Sequence, residues 1–239
     1  MDFKTVGIFV VFLGLFFSFG LVLADPTGPG TLNVTDNETY AGQTTGTEWD
    51  VEGGYISTIN ITATVQTENW KAFVGWMNGK FTLDDSSGST IYDWTLSTIS
   101  GEVYATRNSS SISWSSIGCA TQGEVEAEDT TLEQSGDDKI NTTFTKDGSA
   151  IEYTVAGETI TAGSCYATST FVDNATQSGE FEETILHDGA SIVYASVLED
   201  NEDGFDENNY DFQMIVPENA SETWDSSIPY YIYVELSSS

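Results

Sequence analysis

The chain has 239 residues, of which 38 are acidic and only six are Lys or Arg, so its formal net charge is −32. A surface of this kind repels nucleic acid and anionic lipid and attracts cations, which excludes nucleic-acid and membrane-surface partners. The aromatic fraction of 13% excludes a disordered polyanion, because disordered chains are poor in aromatic residues. Two explanations of the charge stay open: adaptation to high salt, and an extracellular surface that binds divalent cations.

The first 24 residues have the pattern of a secretory signal peptide. Lys4 precedes an apolar run over 6–23, and the small residue Ala24 stands directly before Asp25. This order predicts cleavage after Ala24, with an uncleaved membrane anchor as the alternative. Export predicts an extracellular location at the cell surface and no membrane contact after cleavage.

The next stretch, DPTGPGTLNVT at 25–35, is rich in Pro and Gly. This composition predicts an extended, weakly ordered N-terminal arm, which we place at 25–40. About 215 residues follow the predicted cleavage site, enough to bury one core. We therefore predict a single domain over 41–239.

Apolar and polar residues alternate along most of the remaining chain, which is typical of half-buried strands. In STINITATVQ, residues 57–66, the alternation predicts a strand whose wet face carries Asn60. The other predicted strands are 70–76, 79–84, 89–96, 101–107, 111–115, 151–155, 165–172, 180–186, 191–198, 210–217 and 230–236. Asn78-Gly79 predicts a tight hairpin turn, because both residues tolerate a positive φ.

One segment departs from the alternation. Residues 121–136, TQGEVEAEDTTLEQSG, are rich in Glu and end at Gly136, which predicts a short helix. The pattern as a whole predicts an all-β protein, an antiparallel β-sandwich or flattened barrel, with one short surface helix near 122–135. Only two cysteines occur, Cys119 and Cys165, and an even count in an exported chain predicts a disulfide between them.

The chain is rich in Asn-x-Ser/Thr sequons, which are acceptors for N-linked glycans in exported proteins. We predict glycosylation among the seven sequon asparagines: Asn33, Asn37, Asn60, Asn108, Asn141, Asn174 and Asn219. A Thr-rich strand composition accounts for two or three of these by chance.

Several segments of the second half carry a family resemblance. YATRNSSSISW, FEETILHDG, VYASVLED and GFDENNYDFQMIVPE resemble a group of exported archaeal proteins of unknown function. The most specific pieces are GEVYA at 101–105 and YDFQMIVP at 210–217, and the resemblance extends from about residue 50 to the C-terminus. It implies an archaeal source and a surface location, and it brings no catalytic residues.

The sequence offers little for catalysis. His187 is the only histidine, in the turn-like LHDG, and no Gly-x-Ser-x-Gly motif or Gly-rich phosphate loop accompanies it. Zinc needs several His or Cys ligands, so a zinc site is not expected. A pair of carboxylates at glycosidase spacing, and a sugar-stacking platform of Trp70, Trp76 and Trp94, are weaker alternatives. We predict no catalytic residues and no enzymatic activity.

The most acidic segment is LEDNEDGFDENNYDF, residues 198–212. It lacks the twelfth-position Glu and the flanking helices of an EF-hand, yet carboxylates on a flexible loop suit a calcium ion of another coordination type. The predicted ligands are Glu199, Asn201, Asp203, Asp206, Glu207 and Asp211. The alternative is a solvated loop in a salt-rich medium that screens its charges.

Together these features predict a non-enzymatic structural protein of the cell surface, a pilus-like filament subunit or an adhesin. The chain ends in VELSSS without a hydrophobic tail, so we expect it to be held by non-covalent assembly. The arm at 25–35 is the expected added strand, because an extended segment completes the open sheet edge of a neighbouring molecule. The alternative is a monomeric secreted module that binds calcium or polysaccharide.

Overall fold

The computed structural model describes residues 25–42, 45–48, 50–146, 150–173, 176–219 and 227–237, with the backbone alone over 176–178. The predicted signal peptide at 1–24 and the sequon residue Asn174 lie outside these residues. Within them, no helix is long and apolar enough to cross a bilayer.

The described chain forms short strands and little helix. The strands, in order, are β1 (Trp70–Gly75), β2 (Lys80–Asp84), β3 (Thr90–Thr95), β4 (Gly101–Thr106), β5 (Gly118–Cys119), β6 (Tyr153–Val155), β7 (Glu158–Ile160), β8 (Tyr166–Val172), β9 (Thr176–His187), β10 (Ile192–Val197), β11 (Glu202–Asp203), β12 (Asn209–Tyr210), β13 (Phe212–Pro217) and β14 (Tyr231–Leu236). The helices are α1 (Gln122–Thr131), α2 (Ile140–Thr143) and a 3₁₀ turn at Trp114–Ser116.

A six-stranded antiparallel sheet lies at the centre of the fold. Its order is β14-β4-β10-β9, and both β5 and β8 pair with the far side of β9. Tyr194 of β10 stands opposite Ala105 on one side and Ile185 on the other. The predicted all-β antiparallel class is confirmed, and the described strands form open sheets rather than a closed barrel.

Both faces of the central sheet are covered. On one face, Val103, Ala105 and Tyr194 pack with Met214 and Val216 of β13 and with residues of α1 and α2. Because β13 pairs with β1, this cover is a second, two-stranded sheet. On the other face, Tyr104, Leu186 and Val193 pack against the 3₁₀ turn and the β6–β7 hairpin. The alternation of apolar residues is the reason for this arrangement, since every central strand presents side chains to both covers.

The predicted helix is confirmed at α1. The side chain of Thr121 and the N3 residue Glu124 form a capping box at its start. One face of the helix is buried, because Val125 joins the core and Glu128 pairs with Arg107 through N–O distances of 2.8 and 2.6 Å.

Three local predictions are wrong. Residues 57–66 form no strand and are exposed. Residues 111–115 contain the 3₁₀ turn instead of a strand. Asn78-Gly79 is no hairpin turn, because β1 pairs with β13 while β2 pairs with β3.

Gly79 lies at a closely packed position rather than in a turn. A Cβ there would lie 2.6 Å from Cδ1 of Leu236, so any larger residue would force that side chain to shift. The hairpin turn lies further along, where the amide of Asp85 donates to Ser89 at 3.0 Å and Gly88 has a φ of +81°.

The sheets begin at Trp70, and residues 28–42, 45–48 and 50–68 lie outside them. The domain boundary predicted at residue 41 therefore does not coincide with the first strand. All large apolar side chains that are described between Leu32 and Val65 are exposed.

Candidate functional site

The acidic segment is an ordered hairpin of β11 and β12. The amide of Gly204 donates to the carbonyl of Asn208 at 2.7 Å, and the carbonyl of Gly204 accepts from the amide of Asp173 at 2.8 Å. The ring of Tyr210 lies against Gly204, where a Cβ would be 2.3 Å from Cδ2 of the tyrosine. The hairpin is thus fixed to the body of the protein at its turn.

Three of the predicted calcium ligands accept hydrogen bonds from the hairpin and its surroundings. Asp211 is buried and accepts from the amides of Met77 at 2.6 Å and Asn201 at 3.0 Å. Asp206 accepts from the amide and side chain of Asn208 and from the hydroxyl of Tyr210. Asp203 accepts from Nδ2 of Asn209 at 3.1 Å.

The pKa values in the segment reflect these contacts. Partial burial opposes ionisation of Asp206, but the hydrogen bonds from Asn208 and Tyr210 outweigh it and lower its pKa. Burial raises the pKa of Glu199, and the negative charges of Glu202 and other neighbouring carboxylates raise it further.

The remaining predicted ligands, Asn201 and Glu207, lie in the hairpin with φ values of +62° and +67°. Within the described ranges, no three side chains of Asp, Glu, His or Cys converge in a way that would hold a metal ion. Calcium binding by this segment stays a prediction.

An open depression of about 610 Å³ lies beside the hairpin. Its lining includes Trp76, Leu96 and Asp211. Trp76 is exposed, donates through Nε1 to the carbonyl of Asn209 at 2.8 Å, and has its ring 5.3 Å from that of Tyr210. One aromatic face is therefore available next to the acidic hairpin.

The three tryptophans of the predicted sugar platform pack on different partners. Trp70 is half-buried against Phe144, with ring centroids 6.0 Å apart. Trp94 lies on the exposed β3 beside Tyr92 at 4.9 Å, and Trp76 lies beside the acidic hairpin. No ring contact in the described residues joins two of the three tryptophans.

His187 lies at the end of β9 and takes part in a turn. Its Nδ1 accepts the amide hydrogen of Gly189 at 3.1 Å and is 3.1 Å from Oε1 of Glu124. The adjacent Asp188 accepts from the amides of Ser113, Ala190 and Ser191. The described contacts of this histidine include no serine hydroxyl, which is the partner that a catalytic triad requires.

The sequence did not single out the carboxyl groups of Glu102, which is buried, and Glu235, which is half-buried. These residues are paired across β4 and β14, and the hydroxyl of Tyr104 donates to Oε2 of Glu235 at 3.2 Å. Burial raises the pKa of Glu102 to about 8, with the charge of Glu235 as the second cause. Neither residue lines the depression beside the hairpin.

A third carboxyl group, that of Glu183 on β9, is fully buried. Its Oε2 accepts the amide of Ile215 at 2.8 Å, while Oε1 is buried without a hydrogen-bond partner among the described residues. Burial raises the pKa of Glu183 well above the usual range. In the sequence, Glu102, Glu183 and Glu235 are recognisable only as glutamates within predicted strands.

The predicted disulfide is confirmed. Cys119 and Cys165 are bonded, with their Cα atoms 4.8 Å apart. The bond joins β5 to the start of β8, and both strands pair with the same side of β9. The disulfide thus links the two ends of the segment that contains both α-helices and the β6–β7 hairpin.

The sequon asparagines differ in exposure. Asn33, Asn37 and Asn60 are exposed, whereas Asn108, Asn141 and Asn219 are half-buried. The side-chain oxygen of Asn141 is itself buried. Glycosylation of these residues stays a prediction.

Among the described residues, β1 and β14 are edge strands of their sheets, and we call the unpaired edge of β1, together with the half-buried apolar residues on and next to these two strands, the open side. The amide of Glu218 donates to the carbonyl of Asn69 at 2.7 Å, which makes Asn69, directly before β1, a position that bonds to the β13 side. Bonded and non-bonded positions alternate in an antiparallel pair, so Ala72 and Val74 direct their backbone groups away from β13. Among the described residues, β13 is the only strand paired with β1. The other edge, β14, pairs with β4 on one side.

The arm meets the free side of β14. Thr27 and Val234 exchange backbone hydrogen bonds of 3.0 and 2.8 Å, and Pro26 is buried beside them. The arm of the chain therefore lies on the edge of its own sheet at this one position.

Among the described residues, the first core cluster is incompletely covered at the open side. Half-buried apolar residues of the first core cluster lie on or next to its two edge strands; they are Trp70, Phe73, Ile228, Tyr230, Ile232 and Leu236. Lys71 of β1 contacts the segment before β14: its Nζ is 2.6 Å from Glu218, donates to the carbonyl of Ile228 and lies 5.0 Å from the ring centre of Tyr230. An added strand would cover these side chains.

Comparison of the chain with family profiles, curated proteins and solved structures found no match.

Proposed function

We propose that the protein is a non-enzymatic structural component of the extracellular cell surface, the subunit of a pilus-like filament or an adhesin, assembled by strand addition. The observation that carries this proposal is the open side, where, among the described residues, the outer edge of β1 has no strand partner and half-buried core residues lie beside it. Unprotected edges of this kind recruit strands from other chains. A contact between one part of a subunit and a different part of the next repeats head to tail and gives a filament.

The large negative charge favours separate, dissolved copies of the protein before assembly begins. Copies with a formal net charge of −32 repel one another at low ionic strength. Assembly therefore needs a contact region that avoids carboxylates, together with salt that screens the rest.

Electron microscopy and analytical ultracentrifugation of the full-length chain from an exporting host test the proposal. Regular filaments that form above a threshold concentration are the expected result. Monodisperse particles at every concentration and salt level would contradict it.

A second candidate is a monomeric module that binds calcium or polysaccharide. The depression that contains exposed Trp76 next to Asp200 and Asp211 favours it, because carbohydrate sites combine an aromatic face with polar groups. Calorimetry with calcium and with acidic and neutral polysaccharides tests this candidate. Replacing both Asp203 and Asp206 by Asn should abolish a calcium signal if the hairpin is the site.

A further inference from the structure

Residues 55–66, YISTINITATVQ, have the composition of a strand and pair with no strand of the described chain. Ile59, Ile61 and Val65 lie on one side of the alternation, and 58%, 80% and 85% of their surfaces are exposed. No charged residue occurs between Glu52 and Glu68. In this strongly acidic chain, the segment carries no charge and has a row of apolar side chains on one side. Strands that add to the edge of another sheet have this pattern.

The point where this segment joins the body is fixed. Both carboxylate oxygens of Asp138 accept hydrogen bonds, one from the hydroxyl of Thr67 and the other from Nδ2 of Asn69 at 2.9 Å. The indole of Trp70 donates to the backbone carbonyl of Asp138. For residues 55–66 to fold back on β1 of their own chain, the chain would have to reverse within 67–69, where these bonds hold it.

We infer that residues 55–66 of one copy add as a strand to the outer edge of β1 in a second copy. This inference rests on the proposed function and replaces the arm at 25–35 as the added strand, because Thr27 is bonded to Val234 of its own chain. The outward backbone groups of Ala72 and Val74 supply the hydrogen bonds.

The two sides of the added strand match the two faces of the β1–β13 sheet, one half-buried and one exposed along β1. Ile59, Ile61 and Val65 face the half-buried residues of the open side, while Asn60 and Thr64 face solvent. A glycan on Asn60 would then remain outside the contact. Because the segment is uncharged, its docking brings no additional carboxylate into the interface.

The donor side is tested with two variants of equal charge. The apolar-side variant combines Ile59→Asp with Ile61→Asp, and the polar-side variant combines Thr58→Asp with Thr64→Asp. Both retain the sequon at Asn60. We expect the apolar-side variant to raise the threshold concentration for assembly at least about tenfold and the polar-side variant to leave it within about twofold of the wild type.

The acceptor side is tested with Ala72→Pro, which removes an outward amide without touching a bond to β13. Thermal unfolding checks that the variant is folded, and Val74→Pro replaces it if it is not. The apolar-side donor variant and the proline variant should each be monomeric, and their equimolar mixture should form one-to-one dimers in the ultracentrifuge, because only one contact is intact.

The outcomes separate this inference from the proposed function. A mixture that stays monomeric, equal effects of the two aspartate pairs, or filaments lost on deletion of 25–35 would overturn the inference alone. A wild-type chain that never assembles would overturn both. Filaments that persist without 25–35 and disappear with Ile59→Asp and Ile61→Asp would support the inference.

Discussion

Glu102 and Glu235 face each other across β4 and β14, and Tyr104 lies between their carboxyl groups as a hydrogen-bond donor to Glu235. The carboxyl groups of buried Glu102 and half-buried Glu235 do not both ionise readily, because each charge is desolvated and repels the other. At neutral pH, Glu102 is therefore mainly protonated, and the formal charge of −32, which takes every Asp and Glu as ionised, includes one negative charge that the folded protein does not carry.

The first prediction concerns the pH dependence of stability. The pKa of Glu102 rises from its ordinary 4.5 to about 8 on folding, so the folded state binds this proton more tightly than the unfolded state. The contribution of Glu102 is complete below 4.5 and is lost as the pH rises through about 8, at a rate on the order of 1.4 kcal/mol per pH unit. Glu102→Gln should remove this loss, measured by chemical denaturation across the window. Exposed Glu126→Gln on α1 is the control, and a similar pH slope in both variants would contradict the assignment.

The second prediction concerns the disulfide. The bond between Cys119 and Cys165 closes a loop with a sequence separation of 46, for which the restriction of the unfolded chain corresponds to about 4 kcal/mol. Replacing both cysteines by Ser should lower the free energy of unfolding by about 2–4 kcal/mol. Reduction of the wild type should have the same effect and should not change the double variant. A reduced wild type that is as stable as the oxidised protein would refute this account.

The third prediction concerns the start of β4. Gly101 has a φ of +129°, and a Cβ there would lie 2.0 Å from the backbone oxygen of Glu235. Gly101→Ala should therefore break the end of the β4–β14 pairing and lower the free energy of unfolding by about 3 kcal/mol or more.

Gly123 is the matched control for this substitution. It lies in α1 with nothing within 4 Å of a Cβ position, so Gly123→Ala should stabilise the protein by up to about 1 kcal/mol. Denaturant titrations measure both changes, and destabilisation of similar size at the two positions would contradict the geometric reason.

Some strands were predictable from alternation: the alternating segment 210–217 contains β13, and its inward Met214 and Val216 are buried. The same alternation over 57–66 predicted a half-buried strand that is absent from this described segment. Alternation shows that a segment has an apolar side, but it does not show where a partner comes from. At 111–115, where a strand was predicted, Ile112 and Trp114 are both buried, yet they reach the core from an irregular segment and a 3₁₀ turn.

The candidate sites were less predictable than the strands. The acidic hairpin was visible from composition, but the role of Asp211 as an acceptor for Met77 depends on the long-range approach of β1. The pairing of Glu102 with Glu235 joins positions more than a hundred residues apart. Only the order of strands in the sheet reveals such neighbours, and one sequence does not contain it.

The fourth prediction separates the structural carboxylate of the hairpin from its exposed neighbours. Asp211→Ala leaves two amide groups without their acceptor, so it should lower the free energy of unfolding by about 2–4 kcal/mol. Glu207→Ala removes the same charge from an exposed position and should change stability by less than about 0.5 kcal/mol. Equal effects of the two substitutions, measured by denaturant titration without calcium, would show that charge rather than hydrogen bonding is responsible.

The fifth prediction concerns ionic strength and assembly. Copies with a formal net charge of −32 repel one another over a Debye length of about 10 Å at 0.1 M salt, and of about 3 Å at 1 M. The threshold concentration for filament formation should therefore fall steeply as sodium chloride rises over this range, when light scattering is followed at constant pH. Magnesium and calcium chlorides at equal ionic strength distinguish screening from binding. A larger effect of calcium than of magnesium, lost on replacing Asp203 and Asp206 by Asn, would point to a calcium ion at the acidic hairpin. Equal effects of all three salts would show that screening alone permits the negatively charged copies to approach and add their strands.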